Sequence, residues 1–166
     1  GPPHQTGEYC LCDMTTEVSS VCQSREGLPM DLLGLCWRAM ATPCSSVYVP
    51  WWSGHTEMPA VYQTGVAVHT DDSAYWAFRD LSEAVEPRYA EVIHDLRGFW
   101  SQIEDLEAAE LADTETAATD LYDTDPDAAR QLLTDHSNAW AELVYDYAMQ
   151  LLDNDLDVAA RQRPGD

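Results

Sequence analysis

A chain of 166 residues, 45% of them hydrophobic, is long enough to bury one core and too apolar to be disordered. Against 8 bases, all arginine, stand 30 acids, and the net charge of −22 would repel both a phosphate backbone and an anionic membrane surface, so neither nucleic acid nor membrane is expected as a partner. No run approaches the roughly 18 apolar residues that span a bilayer, and the opening Gly1-Pro2-Pro3-His4 has neither the basic nor the apolar region of a signal peptide.

Residues 1–8 read as a flexible start or a scar of tag removal, and residues 9–70 as mainly strands and loops. The stretch 9–22, rich in β-branched and thiol side chains and without proline, predicts a first strand. Leu33, Leu35 and Trp37 alternate in a second strand over 33–40, and Val47, Val49 and Trp51 in a third over 46–52. The short link 41–45 fits a hairpin connection, and Ser53-Gly54 and Met58-Pro59 punctuate a loop. Residues 71–155 read as mainly helical. Asp71 or Asp72 caps a helix carrying Tyr75, Phe78, Leu81 and Val85. Pro87 starts a longer one with the stripe Val92, Leu96, Phe99, Ile103 and Leu106, on an otherwise acidic cylinder. Asp125-Pro126 opens a third, with Leu133, Trp140, Val144, Tyr147 and Leu151 on one face. Residues 156–166 form a tail. Strands first and amphipathic helices after predict an α/β (α+β) layered fold with helices on a sheet face.

The acids are uneven: 8 against 3 arginines in residues 1–79, and 22 against 5 in residues 80–166. Salt screens such repulsion, so the composition suits a salt-rich cytoplasm as well as an ordinary acidic protein. The five cysteines, Cys10, Cys12, Cys22, Cys36 and Cys44, are odd in number and irregular in spacing. They complete no zinc pattern, and the reading favoured here is small buried apolar residues in a reducing, cytoplasmic setting. The histidines, His4, His55, His69, His94 and His136, show no ligand spacing, so no metal site is expected. His55 and Glu57 share a loop and form a weak acid–base pair. Glu57 and Arg79 read as structural ion-pair residues.

A run of ordered motifs is more specific. The chain carries Gln23-Ser24-Arg25 followed by Leu28-Pro29, then Ser46-Val47-Tyr48-Val49-Pro50, then Gly54-His55-Thr56-Glu57-Met58-Pro59. Asp72-Ser73-Ala74-Tyr75-Trp76 and Leu133-Thr134-Asp135-His136-Ser137-Asn138 follow in order. Across residues 9–155 this resembles the C-terminal part of the cysteine dipeptidases of the N-terminal-nucleophile hydrolase superfamily, the dipeptidase A type. His136 stands where the family usually has tyrosine.

The resemblance implies a portion of a four-layer αββα sandwich, and an activity that hydrolyses short peptides through a thioester, without metal or organic cofactor. In that family the nucleophile is a cysteine at the first position of the mature chain, whose own α-amine, with a pKa of about 7.7, serves as the base. None of the five cysteines is at the first position, so the catalytic residues are expected in an N-terminal portion or subunit outside this chain, and the chain alone is expected to be inactive. The resemblance gives Arg25 as a candidate for the substrate carboxylate. The partners it implies are the cysteine-bearing portion, a dipeptide substrate and a second copy of the chain, docked on an apolar face around Leu33, Leu35, Val47 and Val49. The alternative is a non-catalytic acidic interaction or scaffold protein that keeps part of the fold.

Overall fold

The computed structural model describes residues 12–65 and 67–158. Its elements are β1 (Val18–Ser24), α1 (Met30–Leu33), β2 (Gly34–Met40), β3 (Val49–Trp52), α2 (Ala60–Gln63), α3 (Ala74–Val85), α4 (Tyr89–Tyr122) and α5 (Pro126–Asp153). The architecture is α+β: an antiparallel three-stranded sheet, ordered β1-β2-β3, followed by helices. The expected start of the first strand, Cys10, His4 and the tail beyond Val158 lie outside the described residues.

The sheet is shorter than the β-propensity implies. Asp13 holds a turn instead of a strand, its carboxylate accepting from the Thr15 amide at 2.8 Å, as short Asx side chains do in competition with ladder bonds. Leu33 ends α1 rather than opening β2. The link from β2 to β3 is a broad loop, because Arg38 already pairs with Val49. That loop is held from inside: Trp100 Nε1 donates to the Ser45 carbonyl at 3.0 Å, and the Ser45 and Ser82 hydroxyls meet at 2.9 Å. The buried Trp100 indole N–H thus has an acceptor, as burial demands.

Two apolar clusters hold the layers together. Val47, Val49 and Trp51 pack with Phe78, Leu81 and Val85 of α3, Leu96, Trp100 and Ile103 of α4, and Val144 and Leu151 of α5. Leu32, Leu35 and Trp52 pack with Ala118 of α4 and Ala129 and Leu133 of α5. Burying each large side chain contributes about 1.5–3 kcal/mol. Leu35, Val47 and Val49, expected on an uncovered face, are therefore core residues, because the chain's own helices cover that face. The α5 stripe is buried as its spacing predicts, and Asp125 caps the helix by accepting from the Ala128 amide at 3.0 Å. For α3 the cap is Ser73 rather than Asp71 or Asp72, and its hydroxyl is turned away to the Thr64 carbonyl.

The cysteines depart from expectation. Cys12 is bonded to Cys44, and Cys22 to Cys36 across the directly opposed register position of β1 and β2. They are cross-links rather than buried apolar thiols, and the argument for a reducing compartment falls with that reading. No described helix is long and apolar enough to cross a membrane.

Helix α4 shows how phase overrides hydropathy. Its buried residues are Val92, Leu96, Trp100, Ile103, Glu107 and Ala118, while Leu106 is 47% exposed. At 3.6 residues per turn the inward position after Ile103 falls on residue 107. A glutamate is thereby buried to 4% exposure, with one carboxyl oxygen lacking any hydrogen-bond partner. Burial, reinforced by Glu104 and Glu110, pushes its pKa up to about 9, so it is folded as the neutral acid. An unfolded glutamate binds fewer protons above its ordinary pKa of about 4.5, so this site destabilises the fold increasingly from pH 4.5 up to about 9. Glu107→Gln should stabilise the protein at pH 8 by on the order of 3 kcal/mol and by little at pH 4.5. Urea unfolding at the two pH values checks this, and an equal effect at both would show that the carboxyl is ionised in the fold.

Candidate functional site

The ordered motifs converge at one end of the sheet, around the turn after β3. Gly54 is required there: a Cβ would stand 2.3 Å from that of Asp31, and its amide donates to the Asp31 carbonyl at 2.8 Å. That contact seats the turn on α1, directly after Leu28-Pro29. Asp31 is fixed in turn by Arg130 of α5 at 2.9 Å. The next residues dock on the Thr134–Asn138 segment of α5. The Thr56 amide donates to the Thr134 hydroxyl at 3.0 Å, and the two hydroxyls lie 3.1 Å apart. The Asn138 side-chain amide donates to the Glu57 carbonyl at 2.9 Å, leaving its oxygen to face His55 Nε2 at 3.0 Å. Because that oxygen can only accept, Nε2 carries the proton and the His55 tautomer is set. The ring stands edge-on to Trp51, with centroids 4.9 Å apart.

Outside the turn lies a depression of about 270 Å³, lined by Cys36, Arg38, Trp51, Trp52, His55 and Met58, with Gly34 and Ser53 at its edge. Arg38 is exposed here. Among the described residues every other arginine has a carboxylate partner: Arg25 with Glu115, Arg79 with Glu83, Arg88 with Glu91 and Asp155, Arg97 with Glu104, and Arg130 with Asp31 and Asp127. A guanidinium left unpaired in so acidic a chain, beside two indoles and an imidazole of fixed tautomer, suits a carboxylate-bearing ligand with an apolar body.

Arg25 lies behind the depression. Its guanidinium donates to Glu115 of α4 and to the Leu32 carbonyl, while its Nε is buried without a partner. Glu115 also accepts from Trp52 Nε1 at 2.8 Å. Nearby, His136 meets the Thr114 hydroxyl at 3.0 Å and stands edge-on to Trp52 with ring centroids 5.3 Å apart, and burial lowers its pKa, holding the ring neutral. Glu57 is exposed and contributes its backbone carbonyl, so the His55–Glu57 pair is not joined through the carboxylate. Arg79 makes its ion pair with Glu83 at 2.9 Å, one turn on, and donates to the Met14 carbonyl. Arg38 and Glu115 carried no signal in the sequence, whereas Asn138 closes the last of the ordered motifs. Their parts follow from strand register and helix docking.

Comparison with known proteins gives a family and a relative. A family model, that of peptidase family C69, matches residues 11–102. A probable dipeptidase B of Streptococcus pyogenes serotype M1 is 24% identical over 130 residues, covering 74% of this chain and 25% of the relative. The chain thus spans about a quarter of the length of the curated relative it matches.

The half-buried pair of Arg25 and Glu115 should behave as a unit. Arg25→Met leaves a carboxylate facing the core, and Glu115→Leu leaves a guanidinium there, so each should cost about 2–3 kcal/mol. The double variant should cost less than the sum by 1 kcal/mol or more. Denaturant unfolding of the four proteins measures this, and simple additivity would show that the pair is not coupled.

Proposed function

The chain belongs to peptidase family C69, and we propose from this that it forms part of a dipeptidase that hydrolyses short peptides through a cysteine nucleophile carried outside this chain. The observation that carries the reading is the family match over residues 11–102, which takes in the turn, the sheet and the depression together. The nucleophile proposed is a cysteine at the first position of a mature N-terminal portion, with its own α-amine as base. Its thiolate attacks the scissile carbonyl, the amine product leaves with a proton, and water then releases the acyl group from the thioester. The contribution of this chain is positional. It supplies a rigid sheet end, the imidazole of His55, and a cation for the substrate's carboxylate. For that cation Arg38 takes precedence over Arg25. Arg38 is exposed and unpaired, whereas a carboxylate reaching Arg25 must displace Glu115.

Assay of dipeptide release should show no turnover for the chain by itself and turnover once the cysteine-bearing portion is joined to it. In that active form Arg38→Ala should raise KM for dipeptides about tenfold, the loss of one charge-assisted contact of roughly 1.4 kcal/mol, with kcat little changed. Turnover by the isolated chain that disappears on replacing an internal cysteine would overturn the proposal.

A further inference from the structure

A second cavity shares no lining residue with the first. It is a groove of about 450 Å³ between the sheet and α4, walled by Val21 and Trp37 of the strands and by Ala108 and Leu111 of the helix, with Tyr48, Arg97 and Glu104 at one end. Glu107 also lines it and is the most buried of its residues. Val21 is 58% exposed, so the apolar wall is open to an incoming group.

The charges in the groove are not equivalent. Glu104 is committed: one oxygen accepts from the Tyr48 amide at 3.3 Å and the other faces Arg97 at 3.6 Å. Arg97 in turn donates to the Ser46 carbonyl at 3.0 Å. Glu107 is not committed, since its buried Oε1 has no partner. A buried carboxyl oxygen without a partner costs free energy that a complementary ligand recovers. A neutral ligand could offer one hydrogen bond. A cation offers more, because Glu104 and Glu110 add negative potential and the Trp37 and Tyr48 rings favour positive charge on their faces.

We propose that this groove binds a primary ammonium carried on an apolar body, with Glu107 as the counter-ion. Binding forms no covalent bond. The protonated carboxyl of Glu107 gives its proton to solvent, and the carboxylate pairs with the ammonium while the apolar body covers Val21, Trp37 and Leu111. The groups facing Glu107 are Glu104 and Glu110 on its own helix, Tyr62 from α2, and Tyr48 and Arg97 at the rim. Burial and Glu107 both raise the Tyr62 pKa, so that phenol stays neutral throughout. The deprotonation that binding requires is harder at low pH and easier towards pH 9, so affinity should rise with pH, by up to about tenfold per unit. The site does not depend on the dipeptidase reading.

The probe is isopentylamine, with isopentanol as its uncharged counterpart. Isopentylamine should shift the backbone resonances of the groove residues, bind more tightly at pH 8 than at pH 6.5, and release about one proton per molecule bound near pH 7. Calorimetry in two buffers of different ionisation enthalpy measures that proton on the unaltered protein. Glu107→Gln should weaken isopentylamine at least tenfold and abolish the pH dependence. Isopentanol binding as tightly as the amine, binding without proton release, or unchanged affinity in Glu107→Gln would each overturn the assignment.

Discussion

One carboxylate, that of Glu115, carries the join between sheet and helices at the end of the molecule where the ordered motifs meet. It accepts from Arg25, at the end of β1, and from Trp52, at the end of β3, while standing on α4. A three-stranded sheet with an apolar face is stabilised when that face is covered from water. Its cover here changes character along α4, from an apolar face at Val92–Ile103 to one that includes Glu107 and Glu115. At the apolar end simple burial suffices. At the other end apolar contact through Ala118 is joined by donors that meet an acid, and Glu115 has two. The indole of Trp52 and the end of β1 are thereby fixed, and the turn after β3 starts from a defined place.

That turn depends on a steric condition as much as an electrostatic one. Gly54 lets the backbone of the turn touch that of α1, and Thr56 and Asn138 then dock it on α5. Residues more than seventy positions apart in the chain thus settle the tautomer of one histidine. The depression beside it inherits its shape from the same contacts, since Trp51 and Trp52, which lead into the turn, and His55 within it all line the depression.

Periodicity made much of this legible and phase limited it. The α5 stripe could be read residue by residue because its apolar positions coincide with its buried ones. On α4 the apolar residues and the inward positions part company after Ile103, and hydropathy chose Leu106 where geometry chose Glu107. Motif order identified the segments that meet at the site, and the structure brings Gly54–Glu57 and Thr134–Asn138 together. What order along a chain could not supply was register. Cys22 faces Cys36 only because β1 and β2 pair with that offset, and the same offset decides which face of β2 carries Arg38. Two disulfides suit the oxidising compartments in which such bonds persist.

The charge excess gives a reason why two unpaired groups of opposite sign can coexist in so small a chain. With eight arginines among thirty acids, cations are the scarce component, and nearly every described one is drawn into a pair. Arg38 escapes because its neighbours on the sheet face are indoles, a disulfide and an imidazole rather than carboxylates. Glu107 has the reverse history: the charges acting on it are those of Glu104 and Glu110, and the guanidinium at the groove's rim, that of Arg97, is taken by Glu104. An unpaired cation at the surface keeps its charge and waits for an anion. An unpaired acid in the interior cannot keep its charge and holds a proton instead. Both leave unspent interaction energy, and each is placed in a cavity of matching polarity.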